Sequence, residues 1–144
     1  MRNILVATDG SAVASRAIDT AAKLVLAVNG TLTIVTVGVA LTETEQRPFR
    51  QFAQLEGITD VAETLAQRTL HEAEQRARRA GVTSVKTLLA WGDPAQKIIE
   101  AIRLDNIDAV VVGRRGRGQL SGLLLGSVSQ KLCSLASCVV IVVP

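Results

Sequence analysis

Apolar residues along this chain fall into two recurring patterns, short continuous runs and stripes spaced three and four apart. Residues 2–8 form a run, and Ala14, Ala17, Ile18, Ala21, Ala22, Val25 and Leu26 follow at helical spacing. Between them Asp9-Gly10-Ser11 offers a turn and an N-cap, and Asn29-Gly30 ends the helix. Residues 31–37, Thr-Leu-Thr-Ile-Val-Thr-Val, predict a β-branched strand. From 38 to 57 the periodicity is lost and Pro48 intervenes, which predicts one long irregular segment. Over 58–80 a second stripe, Val61, Ala62, Leu65, Ala66, Leu70, Ala73, Ala77 and Ala80, runs until Gly81 stops it.

The second half repeats the alternation. A strand over 84–90 leads through Trp91-Gly92-Asp93-Pro94 into a helix, with Asp93 as N-cap, Pro94 at the first helical position and Ile98, Ile99 and Ile102 as the core face. Residues 108–112 and 138–143 complete five strands, with a helix over 127–135 between the last two. Strict alternation predicts an α/β fold, a parallel sheet covered by helices on both faces, in one domain over 1–144.

Composition adds limits. An apolar content of 48% over 144 residues fills one sizeable core. No run of eighteen apolar residues occurs, and Met1-Arg2-Asn3 passes directly into the first strand, so the expectation is a cytoplasmic protein without membrane insertion. Sixteen basic against thirteen acidic residues leave a charge of +3, too small an excess to argue for nucleic acid, and two Phe and one Trp offer no stacking platform for single strands. Arg76, Arg78 and Arg79 suit a helix C-terminus and a solvated face. Cys133 and Cys138 lack partners at metal-ligand spacing and predict reduced structural thiols. His71, beside a helical stripe without a nucleophile or acidic partner at a recognisable spacing, predicts a surface residue, and Trp91 predicts core or edge packing.

The concentrated chemistry lies after the fourth strand. Gly113-Arg114-Arg115-Gly116, nine residues, then Gly126-Ser127 surround one short basic loop with glycines and a hydroxyl, and Arg117 adds to its charge. A helix beginning there directs its free N–H groups and positive dipole end at the loop, which suits a phosphate. Each residue also has a plainer reading. Asp9 serves equally as the N-cap of the first helix, and the glycines as turn and packing residues, the better account of Gly118 and Gly122. Ser121 and Ser134 have no distinguishing context.

Over essentially its full length the chain resembles the universal stress proteins, in the branch that binds ATP. Ile4-Leu5-Val6-Ala7-Thr8-Asp9-Gly10-Ser11 resembles that family's first strand and D-x-S turn, Gly92-Asp93-Pro94 its G-x-P step, and Asp108-Ala109-Val110-Val111-Val112-Gly113 its fourth strand. Gly113-x2-Gly116-x9-Gly126-Ser127 is similar, without a gap, to its nucleotide signature. The resemblance implies an open five-stranded parallel sheet of order 3-2-1-4-5, adenine nucleotide alpha hydrolase-like, with ATP (or AMP or ADP) at the switch point between the first and fourth strands. Ala7, Thr8 and Asp9 then line the adenosine side, Asp9 offering its carboxylate to a ribose hydroxyl or a metal. The backbone of Val37 holds the adenine edge, and Val112 packs on ring or sugar. Gly113 and Gly116 permit close backbone approach, and Gly126, Ser127, Val128 and Ser129 donate backbone and hydroxyl hydrogen bonds to phosphates. Arg115, where many relatives carry a different polar side chain, either adds charge to that site or points into water.

Efficient phosphoryl transfer is not expected. The lysine near the loop is Lys131, beyond the third glycine, so the pattern is no P-loop, and Asp9 is the one acidic side chain in the matched motifs. A lone Asp9 also disfavours a phosphoacceptor receiver, which needs an acidic pair. A nucleotide-dependent regulatory or sensor module in stress response, with at most slow ATP hydrolysis and Mg2+ an open question, is the leading expectation; a nucleotide-independent dimeric adaptor and a weak ATPase are the alternatives. The apolar stretch 138–143 resembles the edge strand through which the family dimerises, so a homodimer is expected under either of the first two, with a regulatory protein partner left open. The irregular segment 38–57 is expected to cover the crevice as a flap.

Overall fold

A computed structural model describes residues 1–40, 42–55, 60–116 and 125–144. Five strands, β1 (Asn3–Ala7), β2 (Thr31–Gly38), β3 (Val85–Trp91), β4 (Ala109–Gly113) and β5 (Val139–Val143), pair in parallel in the order β3-β2-β1-β4-β5. Ile4 of β1 lies between Leu32 of β2 and Ala109 of β4. Strand burial follows this order. β1, β2 and β4 are mostly buried on both faces, β1 and β4 almost continuously apolar and β2 also burying Thr33 and Thr36, while the edge strands β3 and β5 are partly exposed.

Side chains leave each strand alternately to the two faces, so the sheet divides the core into two layers. Ile4, Val6, Ile34 and Val111 pack beneath α1 (Ala12–Val28) and α4 (Val61–Arg79), whereas Leu5, Val35 and Val110 pack beneath α5 (Pro94–Leu104) and α6 (Ser127–Leu135). The buried stripe of α1 is mostly alanine, which lets its backbone lie close to the sheet. Ser11 caps α1 by accepting from Ala14 N–H, and Asn29 closes it in the left-handed conformation at φ +52°. Asp93 caps α5 through Gln96 N–H, and Gly92, at φ +129°, makes the turn into it.

Two local expectations change. Segment 38–57 is not irregular where described: α2 (Glu43–Gln46), a 3-10 turn (Arg47–Phe49) and α3 (Arg50–Leu55) occupy it. Thr42 and Glu45 form a capping box that starts α2, and neither α2 nor the 3-10 turn buries a residue, so apolar periodicity had nothing to report there. The second long helix begins at Val61, after Asp60, whose carboxylate accepts from Glu63 N–H. Gly57, Arg117, Gly118, Ser121 and Gly122 lie outside the described residues.

The basic helix end is structural. Arg76 forms a two-point ion pair with Asp19 of α1, both contacts at 2.7 Å, and Arg78 pairs with Glu74 and donates to Thr83 C=O. His71 is exposed, and Ser134 donates to Gln130 C=O within α6. Trp91 packs its ring over Gly38 at the β2–β3 edge. Both cysteines are free. Cys133 is exposed and so is not a core thiol, while burial pushes the thiol of Cys138 up and away from the reactive thiolate.

Asp108 stitches the amino-terminal end of the sheet. Its Oδ2 accepts from Arg2 N–H and Asn3 N–H, each at 2.8 Å, which holds its carboxyl below the usual carboxylate range; Arg76 does the same for Asp19. A depressed carboxylate binds fewer protons folded than unfolded, so its contribution is present above the unfolded value near about 4 and is lost as pH falls through the folded value. Asp108→Asn is expected to melt below the native chain at pH 7, the two midpoints converging as pH falls below about 4. Parallel melting curves across that window would contradict this.

Candidate functional site

The chain runs outward from β1 through β2 to β3 and returns to β4 on the other side of β1, which leaves a crevice where neighbouring connections diverge. At the carboxyl ends of β1, β2 and β4 lies a crevice of about 410 Å3, a volume suited to a small organic ligand. Ala7, Thr8 and Asp9, then Val37, then Val112 and Gly113 bring three strand ends to it, and Arg115, Gly116, Gly126, Ser127, Val128 and Ser129 complete one side. All twelve residues singled out from sequence therefore line one space.

The turn after β1 is held by its own backbone and side chains. Thr8 N–H donates to Val35 C=O at 2.9 Å, Thr36 Oγ1 donates to Thr8 C=O at 3.2 Å, and Gly10 N–H donates to Thr8 Oγ1 at 3.2 Å. Asp9 Oδ1 accepts from Ser11 N–H at 2.9 Å. The reading of Asp9 as the helix N-cap does not hold, because Gly10, at φ +81°, sets Asp9 outside the helix and Ser11 takes the capping position. The carboxylate is turned toward the glycine loop instead. A Cβ on Gly116 would stand 2.5 Å from Asp9 Oδ2, and one on Gly113 would stand 2.6 Å from Val13 Cγ1.

A backbone clasp joins the two halves of the glycine motif. Arg114 C=O accepts from Gly126 N–H at 2.7 Å and from Ser129 Oγ at 2.8 Å, while Arg114 N–H donates to Val143 C=O at 2.7 Å. Ser129 is buried and its hydroxyl donates to Arg114 C=O and lies 3.1 Å from Gly126 C=O, so the hydroxyl is engaged within the loop and not held out for a phosphate as expected; Ser127 is exposed. Side chains of Ser11, Asp60 and Asp93 cap α1, α4 and α5, but α6 begins at Gly126 without a side-chain cap. Among the described residues no side chain caps its first N–H groups, so these and its positive dipole end suit an anion in the crevice. Arg115 lines the same space, and no ion pair joins it to a carboxylate among the described residues.

Opposite the loop, α4 supplies a wall missing from the sequence reading. Ala62, Leu65, Ala66 and Thr69 line the crevice, with Val39 nearby and Pro94 and Ile98 of α5 on the other face of the sheet. The signal was present, since 62, 65 and 69 form a helical line beside the core stripe 66, 70, 73 and 77, but periodicity alone merges the two. Among the described residues Asp9 is the one carboxylate lining the crevice, and no group of three His, Cys, Asp or Glu among them could hold a metal. The donor set of the described residues does not by itself make up a protein-held metal site.

No helix among the described residues is long and apolar enough to cross a membrane. A family model described as "Universal stress protein family" matches residues 1–144. The chain is 31% identical over 144 residues to universal stress protein YxiE of Bacillus subtilis (strain 168), covering 97% of each chain. Among solved structures it is similar to a universal stress protein in complex with cAMP, at 29% identity and TM-score 0.74, covering 99% of this chain and 97% of that one. Universal stress protein UspA from Lactobacillus plantarum, at 24% identity and TM-score 0.80 over 99% and 97% of the two chains, shares the Rossmann-like α/β fold.

Proposed function

The chain belongs to the universal stress protein family, and from that premise we propose that its crevice binds an adenine nucleotide, ATP foremost, as a nucleotide-dependent regulatory module acting in the cytoplasm. The observation that carries this reading is the meeting, at one crevice, of the Asp9 turn and the glycine-serine motif, more than a hundred residues apart in sequence. The apolar surfaces of Val37, Val112, Ala62 and Leu65 suit a base, and Asp9 suits a ribose hydroxyl. The open N–H groups of α6 with Arg115 suit phosphate. A relative 29% identical to this chain is described in complex with cAMP, which supports the adenine nucleotide class.

Sensing fits this site better than turnover. The loop has no P-loop lysine, and Asp9 Oδ1 is already engaged by the Ser11 N–H. Any Mg2+ would rely on the nucleotide phosphates for most of its ligands. For output, β5 ends the sheet with Val139 about half exposed, and a second copy pairing along this edge would cover it.

The test is the nucleotide content of protein purified without added nucleotide, read by chromatography of the released small molecules, followed by calorimetric titration. ATP or AMP is expected in the native chain and absent from Gly113→Val and Gly126→Val. Full retention by both variants would overturn the site, and phosphate release well above that of Ser127→Ala would overturn sensing in favour of hydrolysis.

A further inference from the structure

Two charged side chains next to residues that line the crevice, Lys131 and Asp93, are not used by the nucleotide reading so far. Lys131 lies on α6 four residues beyond Ser127 and three beyond Val128, so it shares the helix face of two crevice residues. Long side chains on a helix lean toward its N-terminus, which carries the Lys131 ammonium back toward the open end of α6. There Lys131 Nζ stands 3.9 Å from Oδ1 of Asp93, the N-cap of α5, whose neighbour Pro94 lines the crevice. The other carboxylate oxygen, Oδ2, already accepts from Gln96 N–H at 3.0 Å.

The pair is therefore bifunctional: Asp93 is anchored as a cap, and Lys131 is held loosely. At 3.9 Å it is too long for a hydrogen bond, and with side chains 55% and 49% exposed it is screened by water and contributes little. Such a cation is available to a stronger anion. Lysine suits phosphate as a mobile point charge, and a charge-assisted hydrogen bond to a phosphate oxygen outweighs a screened contact.

Resting on the adenine nucleotide reading, we propose that Lys131 distinguishes nucleotides by phosphate number, leaving Asp93 for the terminal phosphates of ATP while AMP, whose single phosphate ends at the α6 amides, leaves the Lys131–Asp93 pair in place. The site then responds to the ATP to AMP ratio through one lysine, and the bridge between the N-terminal ends of α5 and α6 is closed with AMP and open with ATP. Asp93 opposes ATP twice, by holding Lys131 and by repelling phosphate.

Calorimetric titration of the nucleotide-stripped full chain with ATP, ADP and AMP, in EDTA to remove metal screening, tests this. Lys131→Ala is expected to weaken ATP about tenfold and ADP less, with AMP changed by less than about twofold. Lys131→Arg is expected to restore most of the ATP affinity, and Asp93→Asn, which keeps the cap, to raise ATP affinity but to do so less in the Lys131→Ala background. An equal loss of ATP and AMP in Lys131→Ala, or no change in either, overturns the proposal while leaving the nucleotide site standing. Failure of the native chain to bind any of the three overturns the nucleotide reading and this inference with it. Should Lys131→Ala not fold, Lys131→Gln carries the same comparison, AMP binding reporting an intact site.

Discussion

Gly116→Ala is expected to weaken adenine nucleotide binding by ten- to a hundredfold, about 1.4 to 2.7 kcal/mol, with little change in thermal stability. The added Cβ would lie 2.5 Å from Asp9 Oδ2, closer than such atoms approach in folded proteins, so one of them must move. Asp9 has a short side chain whose other oxygen is engaged by Ser11 N–H, and the loop is tied at Arg114 to both Gly126 and Val143. Relief therefore comes by turning the carboxylate out of the crevice or lifting the loop, and either removes part of the proposed site. Gly116 itself is exposed, so the melting point should stay within the range of a surface substitution, about 0.5 kcal/mol. Calorimetric titration with a paired thermal melt checks both halves, and native affinity in this variant would remove Asp9 and Gly116 from the site.

Leu132→Ala is expected to cost about 3 kcal/mol of stability, a large share of the 5 to 15 kcal/mol available to a typical domain. Leu132 is fully buried and is the chief anchor of α6, whose nine residues are too few to persist as a free helix. It packs in the layer with Ile98, Ile102 and Val110, among them the partners that fix α6 beside α5. Truncation leaves a cavity under the helix that carries Ser127 and Val128, so nucleotide affinity should fall along with the melting point. A fall of about 10 °C is expected in a thermal melt, and a fall below about 3 °C would show that α6 is held mainly by its clasp to Arg114.

These two sites differ in how they are encoded. The Asp93-Pro94 start of α5 and the span of α6 were legible because each depends on residues within a turn or two of one another, and the glycine spacing because it is a pattern of the chain itself. The start of segment 38–57 was not, because α2 begins at a capping box and neither it nor the 3-10 turn after it buries a residue. Asp9 was ambiguous for a similar reason: two neighbouring residues, Asp9 and Ser11, both suit a cap, and the positive φ of Gly10 decides between them. The α4 wall escaped because Ala62 and Leu65 have the character of core residues, and only the opening of the crevice beside them distinguishes their role.

By itself the sequence determined the alternation of the five strands with the long helices, the Asp93 cap of α5, the two-layered apolar pattern and the residues able to form a turn after β1 and a cradle after β4. Those features follow from local sterics and from the period of burial, which each segment carries within itself. Tertiary structure alone decided that Arg114 would hold Gly126 and Val143, that Asp9 would face Gly116, that α4 would wall the crevice and that Lys131 would meet Asp93. Each of these contacts joins segments far apart in the chain, and their distances are set by the strand order β3-β2-β1-β4-β5 and the packing of helices on its two faces, which no local pattern specifies.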